Sequence, residues 1–409
     1  MKRSATLAIN EKCAQLRAEG RSVYKLGLGQ SPFPVPESVV DALQQHSFRK
    51  EYTPVQGLPE LRQAVADYHQ RRDGLDWGPS QVVIGPGSKE LMFLLQLAYY
   101  GELLLPSPSW VSYAPQAQIA GRQVNWLPTL LEDGFRLKPE VLDAALAQDP
   151  GRPRLLILNY PNNPTGTSYD QTQLEALAEV ARRHRLLVLS DEIYGEVHHR
   201  GQHLSLASLY PEGTIVSGGL SKWCGAGGWR LGTFFFPPNL RWLLEAVSVI
   251  ASESFTSTSA PIQCAGIRAF SGGPDIEDYL TQSRRILSAV AAYSVDRLRA
   301  CGAKVPSPDG AFYLFADFTP LAAKLAGRGL YSSTELCRSL LEDTGVAILP
   351  GSDFGRPSGE LTARLAIVDF DGRWALLAAP EVDDLDEQFV QQHCPRLVEA
   401  FDRLAGWLG

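Results

Sequence analysis

Three things are scarce in this chain of 409 residues: paired cysteines, long apolar runs and blocks of one charge. The six cysteines, at 13, 224, 264, 301, 337 and 394, lie far apart with no Cys-x-x-Cys pair, so reduced thiols are expected and neither disulfides nor a metal. Apolar runs such as LMFLLQLAYY, from Leu91 to Tyr100, stop at about ten residues, short of the ~18 that a membrane helix needs. The start, MKRSATLAINEKC, has basic residues but no apolar run behind them. It does not read as a secretory signal, and a cytoplasmic location is expected. With 38 Lys+Arg against 45 Asp+Glu the net charge is −7 and no basic block occurs. That balance argues against nucleic acid or an anionic membrane as partner.

What is there suits a globular protein: 44% hydrophobic and 20% charged residues, with no repeat and no low-complexity segment. At roughly 150 residues per domain the length allows about two to three domains. A core of that size needs no disulfide or metal, and a small-molecule enzyme is the default reading.

From about 80 to 236, short apolar runs alternate with helical stretches. The order is QVVIGPG and a helix from Ser88, GELLLPS, RQVNWLP, RPRLLILNYP and a helix from Asp170, RLLVLSDEIY, GTIVSGGLS, then RLGTFFFP and a helix from Asn239. Strands apolar on both faces, each followed by a helical period, predict a mainly parallel α/β sheet. Several of these runs end in Gly, Asn, Asp or Ser, at the sheet edge where ligands collect in such folds. Beyond about residue 300 the texture changes to AKVPSPDGAFYLFADF, a helix near Ser333 to Asp343, VAILPGSDFG and ARLAIVDF, a smaller α+β unit. The first 45 residues, with the loop LGLGQSPFPVP, join it. The expected division is 46–290 for a large domain and 1–45 plus 291–409 for a small one, with the boundary inside a helix from about Asp278 to Leu298.

The chemistry gathers at strand ends. Lys222, in GGLSKWCGAGGWRLG, follows the run GTIVSG among glycines that let a ligand approach the backbone. Asp191, in LLVLSDEIYGE, follows another apolar run; buried there, its carboxylate needs a cationic partner to stay ionised, and Tyr194 shares its loop. NYPNNPTG at 159–166 must be an irregular loop at the same edge. In GPGSKE, at 85–90, two glycines lead into a helix whose first N–H groups can hold a phosphate, and Arg230 can add a fixed positive fork. Arg364 stands in ARLAIVDF, where a surface charge on an edge strand is the plainer alternative.

NNPTG, SDEIY and SK…GWRLG, in that order, resemble the class I/II aminotransferases of the aspartate-aminotransferase-like type, and the likeness runs from LGLGQSPFPVP through ARLAIVDF. It implies fold type I: a three-layer, mainly parallel large domain that binds pyridoxal 5'-phosphate, with a smaller α+β domain. By that resemblance Lys222 forms the internal aldimine and moves the substrate's α-proton. Asp191 keeps the pyridine nitrogen protonated, and Tyr194 and Asn163 bond the ring's phenolic oxygen. Trp110 stacks on the ring. Ser88, Lys89, Ser221 and Arg230 surround the phosphate. Arg364 grips the substrate carboxylate, with Asn163 assisting and Gly29 leaving room. Tyr52, and Thr258 in the same way, would reach the neighbouring subunit's cofactor, which implies a homodimer. Tyr313 and Phe354 are expected on loops bordering the pocket.

The implied activity is ping-pong transfer of an amino group from an L-amino acid to a 2-oxo acid. A C–S lyase or an aminocyclopropanecarboxylate-synthase-like enzyme on the same fold is the alternative; a non-catalytic pyridoxal-phosphate-binding regulator fits less, because every principal polar position is present. Departures from the family pattern are Gly219 in place of a phosphate-binding serine and Lys89 in place of a small or amide residue. Where aspartate-specific members carry a second arginine, the chain reads ASESF, with Glu253 and Ser254. That argues against a dicarboxylate as the dedicated donor, and Glu253 would suit a basic side chain.

Overall fold

The computed structural model describes residues 5–409, and the side chains of residues 5–8 and 10 lie outside the description. Residues 1–4, with the beginning of the leader reading and of the expected small-domain segment, also fall outside it.

The strands are β1 (Tyr24–Lys25), β2 (Val82–Gly85), β3 (Glu102–Ser107), β4 (Val124–Pro128), β5 (Arg154–Asn159), β6 (Leu187–Asp191), β7 (Thr214–Gly219), β8 (Gly232–Phe235), β9 (Tyr313–Asp317), β10 (Val346–Ala347), β11 (Leu349–Pro350) and β12 (Thr362–Ala366). The main sheet has the order β2-β8-β7-β6-β5-β3-β4. Its neighbours are parallel except around β8, which is antiparallel to both β2 and β7. Since β8 reverses twice, β2 and β7 run the same way, and β2, β3, β5, β6 and β7 bring their carboxyl ends to one edge.

Burial explains the layers. β5, RLLILN, is buried at every position. Alternate side chains of a strand point to opposite faces: Leu155 and Ile157 join a core with the helices Ser88–Ala98 and Arg241–Ser254, while Leu156 and Leu158 join one with Pro139–Ala147 and Gln171–Arg183. The chain is therefore α/β with a mostly parallel central sheet between helical layers, as expected. Helix starts differ from the expectation in detail. Asp170 is an N-cap, reciprocally bonded with Gln173, and the helix begins at Gln171. Pro238–Leu240 is a separate 3-10 turn before the helix that starts at Arg241.

β11, β12 and β9 form a second, antiparallel sheet with β12 in the middle. Arg364 is thus on a central strand and 3% exposed, which overturns the edge-strand alternative. β1 pairs parallel with β10, tying the early chain to the last third. The helix Pro274–Ala300 runs unbroken through residue 290. Among the described residues no helix is long and apolar enough to cross a membrane.

Candidate active site

A cavity of about 600 Å³ opens at the edge where the five strands end. Lys222, three residues past β7, lines it, and its Nζ donates to the Gly29 carbonyl over 2.7 Å. Gly219 ends β7 with φ 148°, and a Cβ there would lie 2.6 Å from the Leu231 carbonyl oxygen. A serine has no room at 219, which accounts for that departure. Ser221 is in the wall.

Asp191, the last residue of β6, is 3% exposed. Its Oδ2 accepts from the Tyr113 hydroxyl at 2.5 Å and its Oδ1 from the Ile193 N–H at 3.4 Å. Burial pushes the carboxyl up to about 6 although these bonds pull it down. The cationic partner expected from the sequence is replaced by a phenol and an amide. Burial, followed by the charge of Asp191, holds the Tyr113 phenol well above its ordinary value, so the hydroxyl stays a donor.

The loop after β5 is held by its own amides. Asn159 donates through Nδ2 to the Asp191 carbonyl over 2.8 Å, and its Oδ1 accepts the Asn163 N–H over 2.7 Å. Asn163 then turns its Oδ1 to Arg364 Nη1, 3.1 Å away. Tyr194, also buried, meets the Tyr313 hydroxyl at 2.8 Å. Arg364 lies over two rings, its guanidinium 4.8 Å from the centre of Tyr313 and 5.0 Å from that of Phe354. Its Nη2 donates to the Gly27 carbonyl over 2.5 Å, and its Nε is buried without a hydrogen-bond partner.

An anion cradle stands beside β2. Gly87, at φ 96°, leads into the helix Ser88–Ala98, whose first N–H groups have no intrahelical acceptor. Three segments press together there. A Cβ on Gly87 would lie 2.0 Å from Arg230 Nη2, and one on Gly232 would lie 2.1 Å from the Ser88 nitrogen. Arg230 itself adopts a left-handed φ of 59° and donates to the Gly227 carbonyl over 2.9 Å. Lys89 lines the cavity with its Nζ 5.3 Å from the Trp110 ring centre, and burial and then Arg230 lower its pKa.

Lys222, Asp191, Tyr194, Asn163, Ser88, Lys89, Trp110, Ser221, Arg230, Gly29 and Arg364 therefore share one cavity. Tyr52 does not line it and is 90% exposed. Thr258 is buried beside Thr53, whose hydroxyl donates to its carbonyl, and Glu253 is exposed at the end of the helix Arg241–Ser254, outside the wall. Tyr313 is in the wall but on strand β9 rather than a loop; Phe354 stands behind Arg364. Sequence reasoning missed Tyr113 and Asn159. Tyr113 follows Trp110 by three residues, a spacing that puts both on one side of a turn and was the available signal. The cavity offers two amines, a buried carboxylate and two guanidinium groups, a set that can hold a phosphate and a carboxylate around one reacting carbon.

The model of the family "Aminotransferase class I and II" matches residues 21–367. An aspartate aminotransferase of Geobacillus stearothermophilus is 35% identical over 364 residues, 87% of this chain and 90% of that protein. An asparagine–oxo-acid transaminase of Streptococcus mutans is 32% identical over 369 residues, 87% of this chain and 91% of that protein. Among solved structures, the aspartate aminotransferase of Thermus thermophilus with maleate superposes with a TM-score of 0.85 at 31% identity, covering 99% of this chain and 97% of that one.

Proposed function

The chain belongs to the class I and II aminotransferases, pyridoxal-phosphate-dependent transferases of nitrogenous groups, and on that premise we propose the following division of labour in its cavity. The cofactor, when bound, serves as an electron sink for the substrate's α-carbon. The residues suit it. Asp191 is a buried carboxylate facing the cavity without a cation, which fits a protonated ring nitrogen. The Ser88 helix start and Arg230, packed so closely that Gly87 and Gly232 admit no Cβ, fit a phosphate dianion. Ser221 adds a hydroxyl there. Trp110 supplies a flat apolar face, and Tyr194 and Asn163 supply donors for the ring oxygen. Lys222 holds the cofactor through its amine and moves the proton at the substrate's Cα. Arg364, steered by Asn163 and by the Gly27 carbonyl, takes the substrate carboxylate, with the bare Gly29 leaving space for it.

The observation that carries this reading is the meeting of Lys222, Asp191 and Arg364 in one cavity. The purified protein should be yellow, and Lys222→Ala should abolish the visible band; a wild-type protein that binds no pyridoxal phosphate defeats the reading.

Aspartate is the donor we put first. The names of the relatives support it, as does the maleate in the Thermus protein, a dicarboxylate; both weigh against the expectation drawn from the missing second arginine. Lys89 offers a cation in the wall for a distal carboxylate, whereas Glu253 stands outside it. Rates with aspartate, glutamate, alanine, phenylalanine and arginine decide the matter, and a preference for arginine would reinstate Glu253.

We also infer a homodimer in which Tyr52 reaches the partner's phosphate, with Thr258 nearby. Tyr52 and Phe48 are exposed on a loop tied to the helix Arg241–Ser254 by the Gln56–Ser248 bond, and that helix exposes Trp242 and Val249. The mass in solution tests it. Division into 46–290 and 1–45 plus 291–409 is supported by the separation of the two sheets and by the β1–β10 pairing. Six unpaired cysteines support a reducing, cytoplasmic setting.

A further inference from the structure

Tyr313 opens β9, and its hydroxyl touches more of the cavity than packing requires. It stands 2.8 Å from the Tyr194 hydroxyl, with the two rings edge to face at 83° and 5.5 Å between centres. A Cβ on Gly29 would lie 1.9 Å from the same oxygen, so the hydroxyl abuts the backbone whose carbonyl receives Lys222. The other part of Tyr313, its ring face, supports the Arg364 guanidinium at 4.8 Å. Both tyrosines are almost completely buried.

A tyrosine hydroxyl has one proton to give. If Tyr194 donates to the cofactor's ring oxygen, as proposed above and as this inference requires, its own oxygen is left to accept. Tyr313 is then the donor of the 2.8 Å bond. We propose that Tyr313 is a positioning residue that forms a two-phenol relay with Tyr194, polarising the Tyr194 hydroxyl and so setting the basicity of the cofactor's ring oxygen. In a buried chain each hydrogen bond strengthens the next. Removing the first link leaves Tyr194 a weaker donor and the ring oxygen more basic, so a proton shared with that oxygen is lost at higher pH. The other groups facing Tyr194 are Asp191, Tyr113, Arg364 and Lys222, the last 5.6 Å from its ring centre. The hydrogen bond of the Tyr313 hydroxyl is to Tyr194 and to none of these groups.

The test is a pH titration of the visible absorbance of the pyridoxal-phosphate-loaded protein, with no substrate present. Tyr313→Phe keeps the ring under Arg364 and removes only the donor. Its absorbance midpoint should rise by roughly half a unit to one unit. Tyr194→Phe should raise the midpoint at least as far, and Tyr313→Phe made in that background should add nothing, since the relay has lost its second link. If Tyr194→Phe moves the midpoint while Tyr313→Phe leaves it at the wild-type value, or if the two shifts add, the relay is overturned and Tyr313 only packs. If Tyr194→Phe itself leaves the midpoint in place, the role given to Tyr194 fails first and takes the relay with it.

Discussion

The Tyr113 hydroxyl donates to Asp191 Oδ2 over 2.5 Å, and both side chains are buried. This bond joins the first turn of the helix Tyr113–Ile119 to the end of β6 and orients the carboxylate toward the cavity. Hydrogen bonding to the charged form of an acid favours that form. Tyr113 therefore keeps Asp191 from becoming basic enough to take the ring proton for itself. Tyr113→Phe should lower kcat by roughly tenfold, in keeping with the loss of one bond to a charged group. The acid limb of the kcat–pH profile should move upward. A kcat lowered equally at all pH values would mean that Tyr113 acts on the fold and not on the acid.

Asp191 also gives the cofactor-free protein a pH signature. Its carboxyl rises from the ordinary 3.8 to about 6 by burial. Between those values the native state binds more protons than the unfolded one, so stability falls as pH rises through that window and is level above it. The two-unit displacement corresponds to roughly 3 kcal/mol. Asp191→Asn lacks this titration. Denaturation midpoints of the cofactor-free wild type and variant should therefore change in parallel below pH 4, diverge between about 4 and 6 in favour of the variant, and stay apart by a constant amount at neutral pH. Curves that stay parallel throughout refute the buried-acid account.

Much of the architecture was legible because the strands are buried on both faces, and the short apolar runs RLLIL, LLVLS and GTIVS, bounded by turn residues, suit strands inside a sheet. Polar residues that follow such runs emerge at a sheet edge, which is why Asp191, Asn163 and Lys222 can be grouped together from the sequence. The direction of β8 was not legible: TFFF is buried on both faces, and such a run looks the same parallel or antiparallel. Nor was the placement of Arg364 on a middle strand, which depends on pairing partners about fifteen and fifty residues away. The Tyr113–Asp191 and Tyr194–Tyr313 bonds span 78 and 119 residues, and no local pattern encodes them.

Lys89 separates a dicarboxylate donor from a monocarboxylate one. Its ammonium lines the cavity close to Trp110 but is open to solvent, so its attraction for a distal carboxylate is screened and modest. Lys89→Gln should raise the KM for aspartate by roughly two- to fivefold and leave that for alanine unchanged. Equal changes for both amino acids would assign Lys89 to the phosphate with Arg230 instead.

Arg364 tests whether geometry or charge holds the substrate carboxylate. Its planar group is set by two bonds, to the Asn163 side chain and the Gly27 carbonyl, and lies over the rings of Tyr313 and Phe354. Lysine keeps the charge but has neither the fork nor a face to stack, and it leaves Asn163 without its donor. Losing one of two charge-assisted bonds weakens binding by roughly 30- to 100-fold. Arg364→Lys should therefore raise KM by that factor for amino acids and 2-oxo acids alike, since both carry the same carboxylate. The visible absorbance band of the bound cofactor should be retained, because Arg364 is assigned to the substrate. A variant whose KM is unchanged would show that charge alone suffices; one that loses the cofactor band would place Arg364 in holding the cofactor as well.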